Sequence, residues 1–102
     1  MSKSNFRTYD LAVQFHKLCR SAQLPDYLKD QLLRASSSVA LNLAEGSGRA
    51  TRGDQARFFH IALGSLRECQ AVLDLAPKPY GALVGHADTL GAHLYRLIHP
   101  AA

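Results

Sequence analysis

The 102 residues contain no tryptophan, one methionine, two cysteines and four prolines. Cys19 and Cys69 lie inside apolar helical patterns rather than in Cys-x-x-Cys or Cys/His spacings. That argues against a disulfide framework and a structural zinc, and favours reduced, buried thiols acting as small hydrophobes. No apolar run approaches the ~20 residues of a membrane span. The opening Met1-Ser2-Lys3-Ser4-Asn5-Phe6-Arg7 lacks the apolar core of a signal peptide. A cytoplasmic chain without membrane contact is expected. Sustained period-two alternation is also missing, as are Asn-Gly and Asp-Gly turns, so no strand competes with the helical pattern.

Catalytic motifs are equally scarce. There is no Gly-Lys-Ser/Thr phosphate loop, no Gly-x-Ser-x-Gly elbow and no His-Glu-x-x-His. The five histidines, His16, His60, His86, His93 and His99, include no i, i+4 pair, and His86 with His93 has no acidic third ligand at a helical step. Surface or core imidazoles are the simpler reading. No cofactor, metal or enzymatic activity is expected.

What is present is helical periodicity. Leu11, Phe15, Leu18 and Ala22, widened by Ala12 and Cys19, recur with the spacing of one buried helix face. Leu24-Pro25 closes this helix and opens the next, with Asp26 complementing its positive end. The second helix carries Leu28, Leu32, Ala35, Val39 and Leu43 on one stripe, and Leu33, Ala40, Leu41 and Ala44 well away from it. Two apolar faces imply a central position or a subunit interface. Gly46 suits a left-handed C-cap, and Thr51 with Asp54 resembles a capping box. The third helix aligns Phe58, Phe59, Ala62, Leu66, Cys69, Leu73 and Ala76, and Pro77-Lys78-Pro79 breaks it. The last shows Leu83, Ala87, Leu90, Leu94, Leu97 and Ile98, weakened by Gly81, Gly85 and Gly91. The expectation is an all-α, antiparallel up-down four-helix bundle. One domain spans residues 1–102, with helices at about 9–23, 25–45, 52–76 and 80–98.

Charge gives the functional clues. Twelve Lys+Arg against eight Asp+Glu leave a net charge of +4, and arginine dominates. Arg49, Arg52 and Arg57 cluster around Gly46, Gly48 and Gly53, where guanidinium forks and a helix N-terminus suit phosphate; a solvated, capped turn is the plain alternative. Arg7, Lys17 and Arg20 on the first helix, with Lys29 and Arg34 on the second, could extend a basic surface. Phe58 and Phe59 read as core, so aromatic interleaving is poor and binding should rest on backbone charge.

Glu68 is the most unusual residue. Its helical neighbours Gly64, Ser65, Ala71 and Val72, then Ile61 and Leu75, carry no charge. A buried or interfacial ion pair with an arginine explains it better than a catalytic acid, because no second catalytic group stands at a fixed spacing. Asn42 and Glu45, one turn apart, read as a polar contribution to helix register.

The segment from Leu33 to Gly46, with Asn42-Leu43-Ala44-Glu45-Gly46, and the later Phe58 to Glu68, with Gly64-Ser65-Leu66-Arg67-Glu68, resemble a known family. The chain is similar to the four-helix-bundle proteins encoded within 23S ribosomal RNA intervening sequences, and to the accessory variability proteins of diversity-generating retroelements. The resemblance spans about residues 6–98, and the chain departs from it after Ala76. It implies a ring-like homopentamer in which Asn42, Glu45, Gly46, Gly64, Ser65 and Glu68 serve packing and assembly. For the retroelement branch it also implies a basic surface that binds RNA or DNA and a reverse transcriptase. The leading expectation is an oligomeric, non-catalytic nucleic-acid-binding or scaffolding protein. The alternative is a protein-interaction module that touches no nucleic acid; a hydrolase using Glu45 or Glu68 comes last.

Overall fold

The computed structural model of the chain describes residues 1–100. The last two residues of the expected domain lie outside the described residues. Four helices follow one another: α1 (Lys3–Arg20), α2 (Asp26–Ser47), α3 (Arg52–Leu75) and α4 (Gly81–Ile98). They pack in a closed cycle, α1 on α2, α2 on α3, α3 on α4 and α4 back on α1. Among the described residues there is no strand.

Their boundaries follow from local chemistry. The Ser2 side chain accepts a hydrogen bond from the Asn5 N–H at 3.0 Å and starts α1 at Lys3. The expected start near Tyr9 is thus about two turns too late. The polar segment Lys3-Ser4-Asn5 hides the helix, because its first core position is a threonine. Thr8 is 1% exposed and its hydroxyl donates to the Ser4 carbonyl at 2.9 Å. Lys29 Nζ donates to the carbonyls of Arg20 and Ala22, satisfying the otherwise open end of α1. Pro25 is the N-cap of α2 and Asp26 lies in its first turn. The Thr51 hydroxyl accepts from the Asp54 N–H at 3.1 Å, as the capping box requires. The α3–α4 connection is held by the Tyr80 hydroxyl, which donates to the Gln23 carbonyl.

The core runs down the middle of the cycle. All five residues of the main α2 stripe, Leu28, Leu32, Ala35, Val39 and Leu43, are buried, and they share one core with Phe15, Leu66, Leu90 and Leu94. Each fully buried side chain of this size stabilises the fold by about 1.5–3 kcal/mol. The α1 stripe is rotated from expectation: Thr8, Ala12, Phe15 and Cys19 are buried, Leu11 is half-buried and Leu18 is exposed. Cys19 and Cys69 are free and fully buried, and burial pushes both thiols up to about 12.

Polar contacts set the register between helices. The Ser38 and Ser65 hydroxyls meet at 2.9 Å across α2 and α3, and Asn42 Nδ2 donates to both the carbonyl and the hydroxyl of Ser38. Asn42 therefore acts on register through Ser38, with no direct bond to Glu45. On the other side, Gln70 Nε2 donates to Asp88 Oδ1 at 3.2 Å between α3 and α4. His16 Nδ1 and the buried Ser36 hydroxyl share a hydrogen bond 2.7 Å long between α1 and α2.

Candidate nucleic-acid interface

The end of α2 and the start of α3 approach more closely than ordinary side chains permit. Gly46 lies inside α2 rather than capping it, and no glycine adopts a positive φ among the described residues. The expected left-handed C-cap is thus corrected. The reason for glycine is contact: a methyl at Gly46 would stand 2.9 Å from Phe58 Cβ and 2.9 Å from Phe59 Cε1. Gly48 ends the helix with ordinary right-handed angles.

This approach decides the fate of the two phenylalanines. Phe59 enters the core, 4% exposed. Phe58 is half-buried instead of core, and the guanidinium groups of Arg49 and Arg57 rest over its ring at 4.6 and 4.5 Å from the centroid. Arg49 also pairs with Glu45 at 2.9 Å, one turn back on α2. Its charge is therefore partly neutralised within the chain, whereas Arg57 makes no such pair among the described residues. Two polar atoms at this end, Ser47 Oγ and Arg49 Nε, are enclosed without a hydrogen-bond partner.

Beside this turn, the first residues of α1 and α3 and the last of α2 and α4 surround a cavity of about 710 Å³. Ser2, Asn5, Ser47, Arg52, Gln55 and Arg96 supply its polar lining. Two helix N-termini open here, with their free N–H groups and positive dipole ends. An adjoining cleft is lined by Arg7, Thr8, His93 and Arg96. Burial, then Arg96 and Arg7, hold the pKa of His93 below its ordinary value.

Of the six candidate phosphate ligands, Arg7, Arg49, Arg52 and Arg57 thus fall around one end of the bundle. Lys17 and Arg20 do not. They occupy the last turn of α1, at the other end of a molecule 41 Å long. Arg96 and His93 were missed, since α4 is far along the chain and only the fold brings it to the α3 N-terminus. The signal available was the segment Tyr95-Arg96-Leu97-Ile98-His99, which sets an arginine between two aromatic rings one turn apart.

A second feature lies on the outer face of α2 and α3. Leu41 is 68% exposed, Ile61 43% and Leu75 69%. Gly64 sits among them with nothing within 4 Å of an added methyl, so the packing of the chain itself does not require glycine there. Glu68 is exposed on this face and makes no ion pair among the described residues, which corrects the reading of a carboxylate buried within the chain.

No curated protein matches the chain. A solved structure from Bacteroides thetaiotaomicron, described as a protein with unknown function from the S23 ribosomal protein family, is similar at a TM-score of 0.72. It is 18% identical and covers 94% of this chain and 98% of its own, a likeness that shows the fold. No helix among the described residues is long and apolar enough to cross a membrane. Residues 5–80, which hold the Asn42–Gly46 turn and the Gly64–Glu68 segment, match the description 23S rRNA-intervening sequence protein, and the chain belongs to that family.

Proposed function

We propose that the chain is an oligomeric, non-catalytic nucleic-acid-binding protein that holds the phosphate backbone, RNA above all, at the bundle end formed by Arg7, Arg52, Arg57 and Arg96. The observation that carries this reading is the convergence of Arg52 and Arg96 with two helix N-termini around one open cavity, with Arg7 and Arg96 lining the adjoining cleft and Arg57 beside them on the Phe58 ring. Guanidinium forks and free N–H groups are the donors that phosphate oxygens accept. The same shared end supports an antiparallel up-down arrangement of the four helices. Glu45 is occupied by Arg49, and Glu68 stands exposed without an ion pair among the described residues, which favours a non-catalytic reading of both carboxylates.

The outer face of α2 and α3 supports self-association, with the ring-like homopentamer of the family resemblance as the state proposed. Covering Leu41, Ile61 and Leu75 would return about 1.5–3 kcal/mol for each side chain fully buried. Glu68 would then find its cation on the next copy. The same face favours the second reading, a ring that docks another protein and leaves nucleic acid alone.

Light scattering behind size exclusion, with labelled RNA titrated at low and high salt, tests the proposal. The parent chain should elute as a ring and bind with a steep salt dependence. Arg52→Glu with Arg96→Glu should keep the elution volume and lose the binding. Unchanged RNA affinity in that variant refutes the arginine assignment, and a ring indifferent to RNA moves the function to a protein partner.

A further inference from the structure

Three exposed rings meet at the end of the bundle where the arginines gather. Tyr95 is 54% exposed, and His99, the C-cap of α4, lies with its ring centroid 4.4 Å away and tilted by 41°. His60 on α3 stands edge-on to His99, 6.4 Å between centroids at 86°. All three are exposed, and none belongs to the core of buried side chains.

Cations flank this group. Arg57 precedes His60 by three residues on α3, the spacing of neighbours on a helix surface, and Arg96 in the last turn of α4 precedes its C-cap His99 by three. The Arg57 guanidinium rests over the Phe58 ring, which packs toward Gly46, so this cation borders the group on the α2 side of α3. The three rings therefore lie between two arginine positions, Arg57 on α3 and Arg96 on α4. Only the α4 half of this group, from Tyr95 to His99, shows along the chain; the fold brings His60 and Arg57 to it.

A nucleic acid duplex keeps its base faces stacked inside and offers a protein only phosphates and groove edges. An unpaired strand offers both phosphates and base faces, and exposed rings beside arginines match that pair of chemistries. We infer that Tyr95, His99 and His60 form a stacking platform for the unpaired bases of a single-stranded nucleic acid whose phosphates are held by Arg57 and Arg96. This rests on the nucleic-acid reading above and narrows it to an unpaired ligand.

The test uses the full chain and a short RNA carrying 2-aminopurine, offered as a single strand and as a duplex of the same sequence. The single strand should bind more tightly, with a change in 2-aminopurine emission on binding. Tyr95→Ala and His99→Ala should weaken it by about 5- to 150-fold with the salt slope retained, while the duplex is little affected. Tyr95→Phe should restore binding, because the ring and not the hydroxyl does the stacking. Both positions are exposed, and melting curves of the variants report whether the fold is kept.

Salt-dependent binding that is equal for strand and duplex, or unchanged in Tyr95→Ala, overturns the platform while leaving the phosphate interface standing. Absence of RNA binding by the parent chain at low salt overturns both.

Discussion

Replacing glycine by alanine should have opposite consequences at two helical positions of this chain. In a helix interior alanine is favoured over glycine by about 0.8–1.0 kcal/mol, because the glycine backbone loses more freedom on folding. Gly64 meets nothing within 4 Å of an added methyl, so Gly64→Ala should realise most of that gain in the isolated chain. At Gly46 the added methyl would lie 2.9 Å from Phe58 Cβ and from Phe59 Cε1, and 3.0 Å from Phe59 Cδ1. Phe58 Cβ is fixed to the α3 backbone, so relief requires the two helices to move apart and open the core around Phe59. Overpacking of this kind costs about 1–3 kcal/mol. Part of the propensity gain is also lost in the last turn of α2, which leaves a net destabilisation of about 1–2 kcal/mol. For a domain of this size each kcal/mol moves Tm by about 4–8 °C. Thermal and urea unfolding followed by circular dichroism should therefore place Gly46→Ala below the parent and Gly64→Ala above it. Measurements at several protein concentrations separate chain stability from any contribution of assembly. The argument fails if Gly46→Ala melts at or above the parent, since the close approach of α2 and α3 would then not be what selects glycine.

The two thiols and the imidazoles give further expectations. Cys19 and Cys69 are fully buried with thiols raised to about 12, so neither should react with iodoacetamide at neutral pH until the protein unfolds; mass spectrometry of the folded protein showing rapid alkylation would contradict that packing. Burial and then Arg20 lower the His16 pKa, and burial with Arg96 and Arg7 lowers that of His93. Below 6.5 the unfolded chain takes up these protons before the folded one does. Stability is therefore full above pH 6.5 and declines as pH falls through the lowered folded values. Denaturant midpoints should be lower at pH 5.5 than at 7.5, and His16→Gln with His93→Gln should flatten the difference; a midpoint that rises on acidification would reject the assignment.

The helical architecture was legible because α2 is apolar at every position of its stripe, from Leu28 to Leu43, and because Thr51, Pro77 and Pro79 punctuate the chain. What periodicity misjudged depends on residues that bury polar atoms or expose apolar ones. Thr8 fills a core position by returning its hydroxyl to the Ser4 carbonyl, so an apolar count begins α1 too late. Leu18 lies on the expected α1 stripe yet is 41% exposed, whereas Leu41, set apart from the main α2 stripe by its spacing, is 68% exposed. The candidate site was half legible. Arg49, Arg52 and Arg57 are neighbours in sequence, but Arg96 and His93 arrive from α4, and Lys17 and Arg20 are carried to the far end by the length of α1.

The Asn42-Leu43-Ala44-Glu45-Gly46 segment shows how one turn of helix links the core to the charged end. Asn42 donates to Ser38, whose hydroxyl meets Ser65 and fixes the height of α3 against α2. Leu43 faces the core with no exposed surface. Glu45 holds Arg49, and Gly46 lets α3 approach until Phe59 is inside and Phe58 is at the margin. Only with Phe58 at the margin do Arg49 and Arg57 share an aromatic seat. A bulkier residue than Gly46 would push α3 outward, and Phe58 would carry both guanidiniums with it. Asn42, Leu43, Glu45 and Gly46 therefore need no catalytic role to account for their residue types, because each one holds the core, the position of α3 or the cations at its start.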